Sequence, residues 1–276
     1  MSQKEKMLAY KIFRPILGFI YKIYYNPKVI GKENIPESGP IVVVGNHVHI
    51  MDQCNIIVNT KRCLHYMAKK EYFDSKFAWF FKSTGCIPVD RSKKDTHASK
   101  EALEVLHNSW ALGLFPEGTR KGLKDTRAKE IYDKYINKNK SFEEFYSEIK
   151  HNKTSQINYL EELMKNKTIT KESFLENLYD IDSYLKLLIK KHKITKNDYY
   201  ENILLPFKFG AVSMAHKTNS KIVPFAITGD YKFRSKNLTV RIGKPIEATD
   251  DLEESNKRLR KAIIDLIKEN DKYSGK

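Results

Sequence analysis

Three features of this sequence predict an α/β protein with a mixed central sheet flanked by helices, carrying an inserted all-helical subdomain. Short apolar, β-branched runs recur between amphipathic stretches. From residue 41 to 122 they alternate as strand, helix, strand, helix, strand. Residues 123–202 then contain neither glycine nor proline and read as polar helices, after which strand patterns resume. The expected organisation is an amphipathic helix (1–25), an α/β domain in two pieces (26–122 and 203–276) and a helical insertion (123–202).

The elements follow in order. MLAYKIFRPILGFIYKIYY (7–25) carries Lys11, Arg14 and Lys22, too many charges for a bilayer span of about 20 apolar residues. On a helical wheel Lys4, Lys11, Arg14 and Lys22 fall within about 80° of one another, opposite a broad aromatic and aliphatic face. That pattern suits a helix lying on anionic lipid, or one packed on the protein's own core. NPKVIGKENIPESGP (26–40) is turn-rich and reads as a linker into a strand at 41–44, with a helix from about Asp52 to Asn59 behind it. KRCLHYMAKK reads as strand into turn, and EYFDSKFAWFFKST as helix with Phe73, Phe77, Phe80 and Phe81 on one side. CIPVDR is a short strand with a basic end. KEALEVLHNS is an amphipathic helix with Ser99 as its N-cap, and ALGLFPEGTR a buried strand ending in a Pro-Glu-Gly turn. After the insertion, strands are expected at Ile203–Leu205, 222–227 and 238–246, then a charged amphipathic helix.

The 276 residues are 41% apolar and 30% charged, a globular composition. The formal charge of +16 points to an anionic partner: nucleic acid, anionic lipid or a phosphorylated ligand. Residues 123–202 hold 16 Lys and Arg against 14 Asp and Glu, so the basic field belongs almost wholly to the rest of the chain. Cys54, Cys63 and Cys86 form no C-x-x-C pair, and no secretory signal is visible, which favours a reducing cytosol.

GNHVHIMDQ (45–53) places two histidines and an aspartate where a strand hands over to a helix. Positions five apart on a continuous helix point about 140° away from each other. His47 and Asp52 therefore meet only if His47 lies on the incoming turn and Asp52 in the first helical turn. Imidazole titrates near neutral pH, and a carboxylate beside it fixes its tautomer and stabilises the imidazolium. The competing reading makes Asp52 a helix cap and His47 a turn residue; His49 competes for the base role. VDR (89–91) and FPEGTR (115–120) put Arg91 and Arg120 just after two further strands. Guanidinium holds phosphate bidentately, and Gly118 allows backbone N–H groups a close approach.

With these motifs the chain resembles the glycerolipid acyltransferase family, of the 1-acylglycerol-3-phosphate acyltransferase type. That family carries N-H-x-x-x-x-D, G-x-x-x-[IV]-D-R, F-P-E-G-T-R and a strand with [IV]-[VI]-P. Here they stand in order as NHVHIMD, GCIPVDR, LFPEGTR and KIVPFAI. MAKKEYF, with Lys69 at the family's usual lysine, and LLPFKFGAVSMA also match. The resemblance covers about residues 26–122 and 203–250. Two features depart from it: His49 stands where the family usually has Ser or another residue, and about eighty residues replace a short loop after the third motif.

The resemblance implies transfer of a fatty acyl group from a thioester (acyl-CoA or acyl carrier protein, as co-substrate) to the sn-2 hydroxyl of lysophosphatidic acid, giving phosphatidic acid in phospholipid biosynthesis. His47 would be the general base and Asp52 its partner. Arg91 and Arg120 would grip the phosphate. Thr119 and Glu117 would hold the arginine turn, or Glu117 would contact a glycerol hydroxyl. Lys69 or nearby N–H groups would serve the oxyanion. No cofactor and no metal is expected. Docking on an anionic membrane surface, at the cytoplasmic face of the cell membrane and peripherally, is expected of residues 1–25. The nearest alternative acceptors are glycerol-3-phosphate and other lysophospholipids. A basic nucleic-acid-binding protein is the rival from another class, but no nucleic-acid signature appears and the aromatics do not alternate with Lys and Arg. A lipid-binding scaffold without catalysis would not need the His47–Asp52 pair.

Overall fold

The computed structural model describes residues 3–90, 92, 95–118, 122–136 and 140–274. The chain forms two compact units: Met1–Gly118 with Phe207–Lys276, and Thr119–Pro206.

The first unit is built on a sheet of seven strands among the described residues. They are β1 (Lys28–Ile30), β2 (Ile41–Gly45), β3 (Leu64–Lys69), β4 (Ile87–Val89), β5 (Ala111–Leu114), β6 (Lys221–Thr228) and β7 (Thr239–Ile242), in the spatial order β1-β7-β6-β2-β5-β3-β4. All neighbours are parallel except β6 and β7. The sheet is thus mixed, as the sequence predicts. Ile41, Val42, Val43 and Val44 are each at most 1% exposed. Successive strand residues point to opposite faces, so both faces of β2 are covered.

Pro224 sits inside β6 without breaking it. Ile222 N donates to Ile246 O, so Pro224, two residues on, turns its missing N–H to the same side, where the chain bulges between Gly243 and Ile246. That bulge also ends the strand expected over 238–246 at Ile242. Two glycines let aromatic rings lie on the strands. A side chain on Gly45 would overlap the ring of Phe225, and one on Gly113 the ring of Tyr66.

Helices of this unit are α1 (Gln3–Tyr25), α2 (Asp52–Ile57), α3 (Ala78–Ser83) and α4 (Thr96–His107) before the second unit, and two more after it. Asp95, not Ser99, caps α4: its side chain accepts from Ala98 N at 2.9 Å, while Ser99 Oγ donates to Asp95 O. Both residue types cap well, but Asp95 stands at the position where the backbone leaves the extended conformation. The helix expected over 71–84 shrinks to α3. Ser75 donates its hydroxyl to Tyr72 O and accepts from Phe77 N, so a serine turn takes the backbone groups a longer helix would need. Phe73 and Phe80 still gather on Phe81, whereas Phe77 is exposed. The linker 26–40 contains β1, which uses its alternate residues to extend the sheet beside β7.

α1 docks through one face. Tyr10 and Tyr21 are buried, Gly18 lies against Val58, and Arg14 Nε donates to Ile57 O at the end of α2. Arg14 therefore leaves the basic stripe to satisfy an orphan carbonyl of α2. Ile12, Ile16, Phe19, Ile20 and Ile23 are all more than half exposed. Among the described residues no helix is long and apolar enough to cross a membrane.

The second unit is helical throughout its regular elements: α5 (Asp125–Tyr135), α6 (Phe142–Ile149), α7 (Thr154–Lys165), α8 (Lys171–Glu176), α9 (Ile181–Lys190) and α10 (Lys196–Glu201). Ser141, Thr170, Asp180 and Thr195 cap α6, α8, α9 and α10 with their side chains. Phe145, Ile157, Leu160, Phe174 and Leu185 are fully buried and give the unit a core of its own. The strand expected at Ile203–Leu205 does not form. Ile203 and Leu204 are buried, in an irregular segment that leads into Pro206. The chain then returns to the first unit as α11 (Gly210–Lys217), β6, β7 and α12 (Leu252–Ser274), which packs on β6 and β7.

Candidate active site

The C-terminal ends of β2, β3, β4, β5 and β6 lie at one edge of the sheet, because these strands run parallel. The described motif residues after β2 and β5 are thereby brought close without being near in sequence.

β2 ends at Gly45, and Asn46 extends the ladder with its side chain. Its amide donates to Ile227 O at 2.9 Å and accepts from Ile227 N at 2.8 Å, locking the start of the turn to β6. His47 follows, half-buried, with its backbone N–H donating to Glu117 Oε1 at 3.2 Å. The chain bends and enters α2 at Asp52. His47 Nδ1 stands 2.8 Å from Asp52 Oδ2. His47 does lie on the incoming turn and Asp52 in the first helical turn, the arrangement that lets them meet.

Asp52 is fully buried. A carboxylate in that position needs donors, and it has four: His47 Nδ1, Val48 N and His49 N on Oδ2, and the Tyr231 hydroxyl on Oδ1 at 2.6 Å. With Asp52 as acceptor, Nδ1 of His47 carries the hydrogen, and Nε2 is the nitrogen that can take a proton. Among the described residues Nε2 has no hydrogen-bond partner. The ring stacks on Phe115 at 4.1 Å and 11°, so its plane is held from the side as well as from behind. His49 is placed differently. Its ring stacks on Tyr231 at 4.2 Å and its Nδ1 accepts from Met51 N, while only its backbone reaches Asp52.

Glu117 is buried in the turn after β5, which puts it against the His47 backbone. Gly118 has φ 69°, where a side chain is strained, and its N–H donates to Phe115 O. The Lys208 side chain lies over Gly118, and Lys208 N donates to Pro116 O. Lys69 closes β3 at the same edge with an exposed side chain and is not bonded to His47 or Asp52. Arg91, Thr119 and Arg120 lie outside the described residues. The structure thus brings His47, Asp52, Glu117 and Gly118 together.

Sequence reading misses Tyr231 and Asn55, and gives no role to Asn46 and Phe115 although both stand inside its motifs. Burial and the nearby Asp52 charge push the Tyr231 phenol far above its ordinary range, so it remains a donor. Its position just past the end of β6 is a signal only once β6 is known to lie beside β2.

A buried carboxylate stands behind a partly exposed imidazole at the C-terminal edge of a sheet, an arrangement of the kind that suits general acid–base chemistry. The Acyltransferase family model matches residues 26–228, and the chain belongs to that family. It is 33% identical over 113 residues to the 1-acyl-sn-glycerol-3-phosphate acyltransferase of Bacillus subtilis, a match covering 40% of this chain and 57% of that protein. It is 34% identical over 103 residues to the protein of the same name from Borreliella burgdorferi, covering 36% and 41%. The chain thus matches about half the length of these relatives. The crystal structure of the 1-acyl-sn-glycerophosphate (LPA) acyltransferase PlsC from Thermotoga maritima shares the fold, with a TM-score of 0.52 and 18% identity over 89% of this chain and 73% of that one.

Proposed function

We propose that this protein is an O-acyltransferase that moves a fatty acyl group from a thioester donor, acyl-CoA or acyl carrier protein, to the sn-2 hydroxyl of 1-acylglycerol-3-phosphate. The observation that carries the reading is the His47–Asp52 pair, with Nδ1 held at 2.8 Å by a buried carboxylate and Nε2 left to act. The acceptor is inferred from the names of the two relatives.

In this mechanism His47 Nε2 takes the hydroxyl proton as the oxygen attacks the thioester carbonyl. The tetrahedral intermediate collapses, the C–S bond breaks, and the thiolate leaves with the proton returned by the imidazolium. A thiol pKa near about 8.5 makes it a good leaving group. General-base assistance of this kind is worth about 10²–10⁴-fold. The alcohol is itself the nucleophile, so no acyl-enzyme is required. Arg91 and Arg120 hold the phosphate, Thr119 and Glu117 shape the arginine turn, and Lys69 or backbone N–H groups serve the oxyanion. The buried Glu117 bonded to the His47 backbone supports a shaping role over contact with a glycerol hydroxyl. The reaction needs no cofactor or metal.

The lipid acceptor resides in a bilayer. The exposed apolar face of α1, flanked by exposed Lys11 and Lys22, supports peripheral docking on an anionic membrane at the cytoplasmic face.

Acyl transfer measured with both donors and with lysophosphatidic acid tests the reading. His47→Ala should reduce kcat by at least about 10²-fold while the thermal midpoint holds; near-normal turnover by a folded variant would end the mechanism. Arg120→Ala should raise the KM for the phosphorylated acceptor about tenfold or more, as loss of a charged hydrogen-bonding partner does, with the donor KM unmoved. An unchanged acceptor KM at saturating donor removes Arg120 from the phosphate site.

A further inference from the structure

The second oxygen of Asp52 leads away from His47 through a directed chain of hydrogen bonds. Tyr231 OH donates to Asp52 Oδ1 at 2.6 Å. Asn55 Nδ2 donates to Tyr231 OH at 2.7 Å, and Tyr21 OH donates to Asn55 Oδ1 at 2.7 Å. Asn55 is fully buried, and Tyr21 is buried on the inner face of α1. The directions are fixed by supply and demand. Asp52 can only accept, so Tyr231 must give it its proton. That leaves the Tyr231 oxygen as acceptor, which sets Asn55 with its NH₂ toward Tyr231 and its carbonyl toward Tyr21. Turning the Asn55 amide over would place an acceptor against Tyr231 and compete for the proton Asp52 needs.

We propose that Tyr231 is a positioning residue for the reaction, which fixes the far oxygen of Asp52 and, through Asn55, ties the His47–Asp52 pair to the seat of α1. The inference rests on the reading of His47 as the base. Tyr231 adds a fourth donor to the carboxylate, which otherwise is held only on the oxygen shared by His47 and two backbone N–H groups. Four partners from two parts of the chain, the turn at 47–49 and Tyr231, leave Asp52 one orientation, and the imidazole inherits it. Tyr231 also carries the His49 ring on its face, so the phenol is clamped in plane as well as at its hydroxyl. α1 is the element whose apolar face is exposed, so the chain of hydrogen bonds joins the docking helix to the base.

The test uses the full chain with an acyl donor and lysophosphatidic acid in vesicles. Tyr231→Phe keeps the ring contacts and removes only the hydroxyl. It should lower kcat about tenfold, with both KM values and the thermal midpoint little changed, as loss of a charge-assisted hydrogen bond in the transition state does. In an Asp52→Asn background the same substitution should change kcat less than about twofold, because the group it acts through is already altered. Tyr21→Phe, two hydrogen bonds further out, should give a smaller fall in kcat of about twofold to threefold; it reads the same chain should Tyr231→Phe fail to fold. Wild-type kcat in folded Tyr231→Phe, or an undiminished effect in the Asp52→Asn background, overturns the proposal. Wild-type kcat in Tyr21→Phe overturns the link to α1. His47→Ala run in parallel separates the two readings. If it is active, the base assignment fails and the inference with it. If it is inactive while Tyr231→Phe is normal, only the inference falls.

Discussion

Asp52 accepts hydrogen bonds from two backbone N–H groups, an imidazole and a phenol, and is fully enclosed by them. Its charge is therefore not spent on solvent; it is directed at His47 Nδ1, which leaves Nε2 as the ring nitrogen that can accept a proton. Asp52→Asn should keep the fold, since an amide fills the same space, but present N–H where N–H already points. A fall in kcat of about 10³–10⁴-fold is expected, with the vesicle affinity unchanged. A loss of less than tenfold in a folded Asp52→Asn protein would reduce Asp52 to a helix-start residue. The pair was legible in advance because five residues across a strand-to-helix turn is a local distance. Tyr231 was not, since it reaches Asp52 across 179 positions.

α1 shows how a whole element can be legible in kind while the residues that dock it are not. The helical period of residues 7–25 is plain, and the wheel separates a basic stripe from an apolar face. Yet only Arg14 of the stripe turns to the docked side, while Lys11 and Lys22 stay exposed. Tyr10, Gly18 and Tyr21 pack inward around Arg14, and the aliphatic side faces out. Small and aromatic residues interleaved with the cations supply the inward fit, which a hydropathy count cannot weigh. Ile16→Glu with Ile20→Glu should weaken sedimentation with anionic vesicles by about tenfold or more, given the apolar area withdrawn from lipid. The thermal midpoint should hold, because both side chains are already exposed. Undiminished sedimentation would move the contact to another surface. In the same way the apolar run 71–84 carries the pattern of one helix, but the Ser75 hydroxyl diverts its first half into turns.

Across the molecule, the two units differ in what holds them. The first buries a sheet on both faces. The second relies on a helical core and on Glu161, which accepts from Tyr135, Arg127 and Lys134. Burial pushes the Glu161 carboxyl up, but these three partners outweigh it and hold its pKa at about 2. A carboxyl depressed on folding contributes stability above its unfolded value of about 4.3 and loses it as pH falls toward 2. Acidification between about pH 4.5 and 2 should therefore raise hydrogen exchange in α7, and Glu161→Gln should remove that pH dependence. An unchanged acid profile in Glu161→Gln would assign the ion pairs no role in the unit's stability.

Much of the architecture is written in local order. The β-branched runs, the turns that end them, the motifs at those ends and the stretch free of glycine and proline are properties of neighbours along the chain. They settle where most of the strands and helices form, and that His47 and Asp52 can touch. Tertiary structure alone decided which strands lie side by side, that β1 is a strand at all, which face of α1 is turned outward, and that Tyr231 and Tyr21 back the aspartate. Each of these depends on pairing or packing between segments far apart in sequence, where the partner's identity, and not the segment's own composition, selects the outcome.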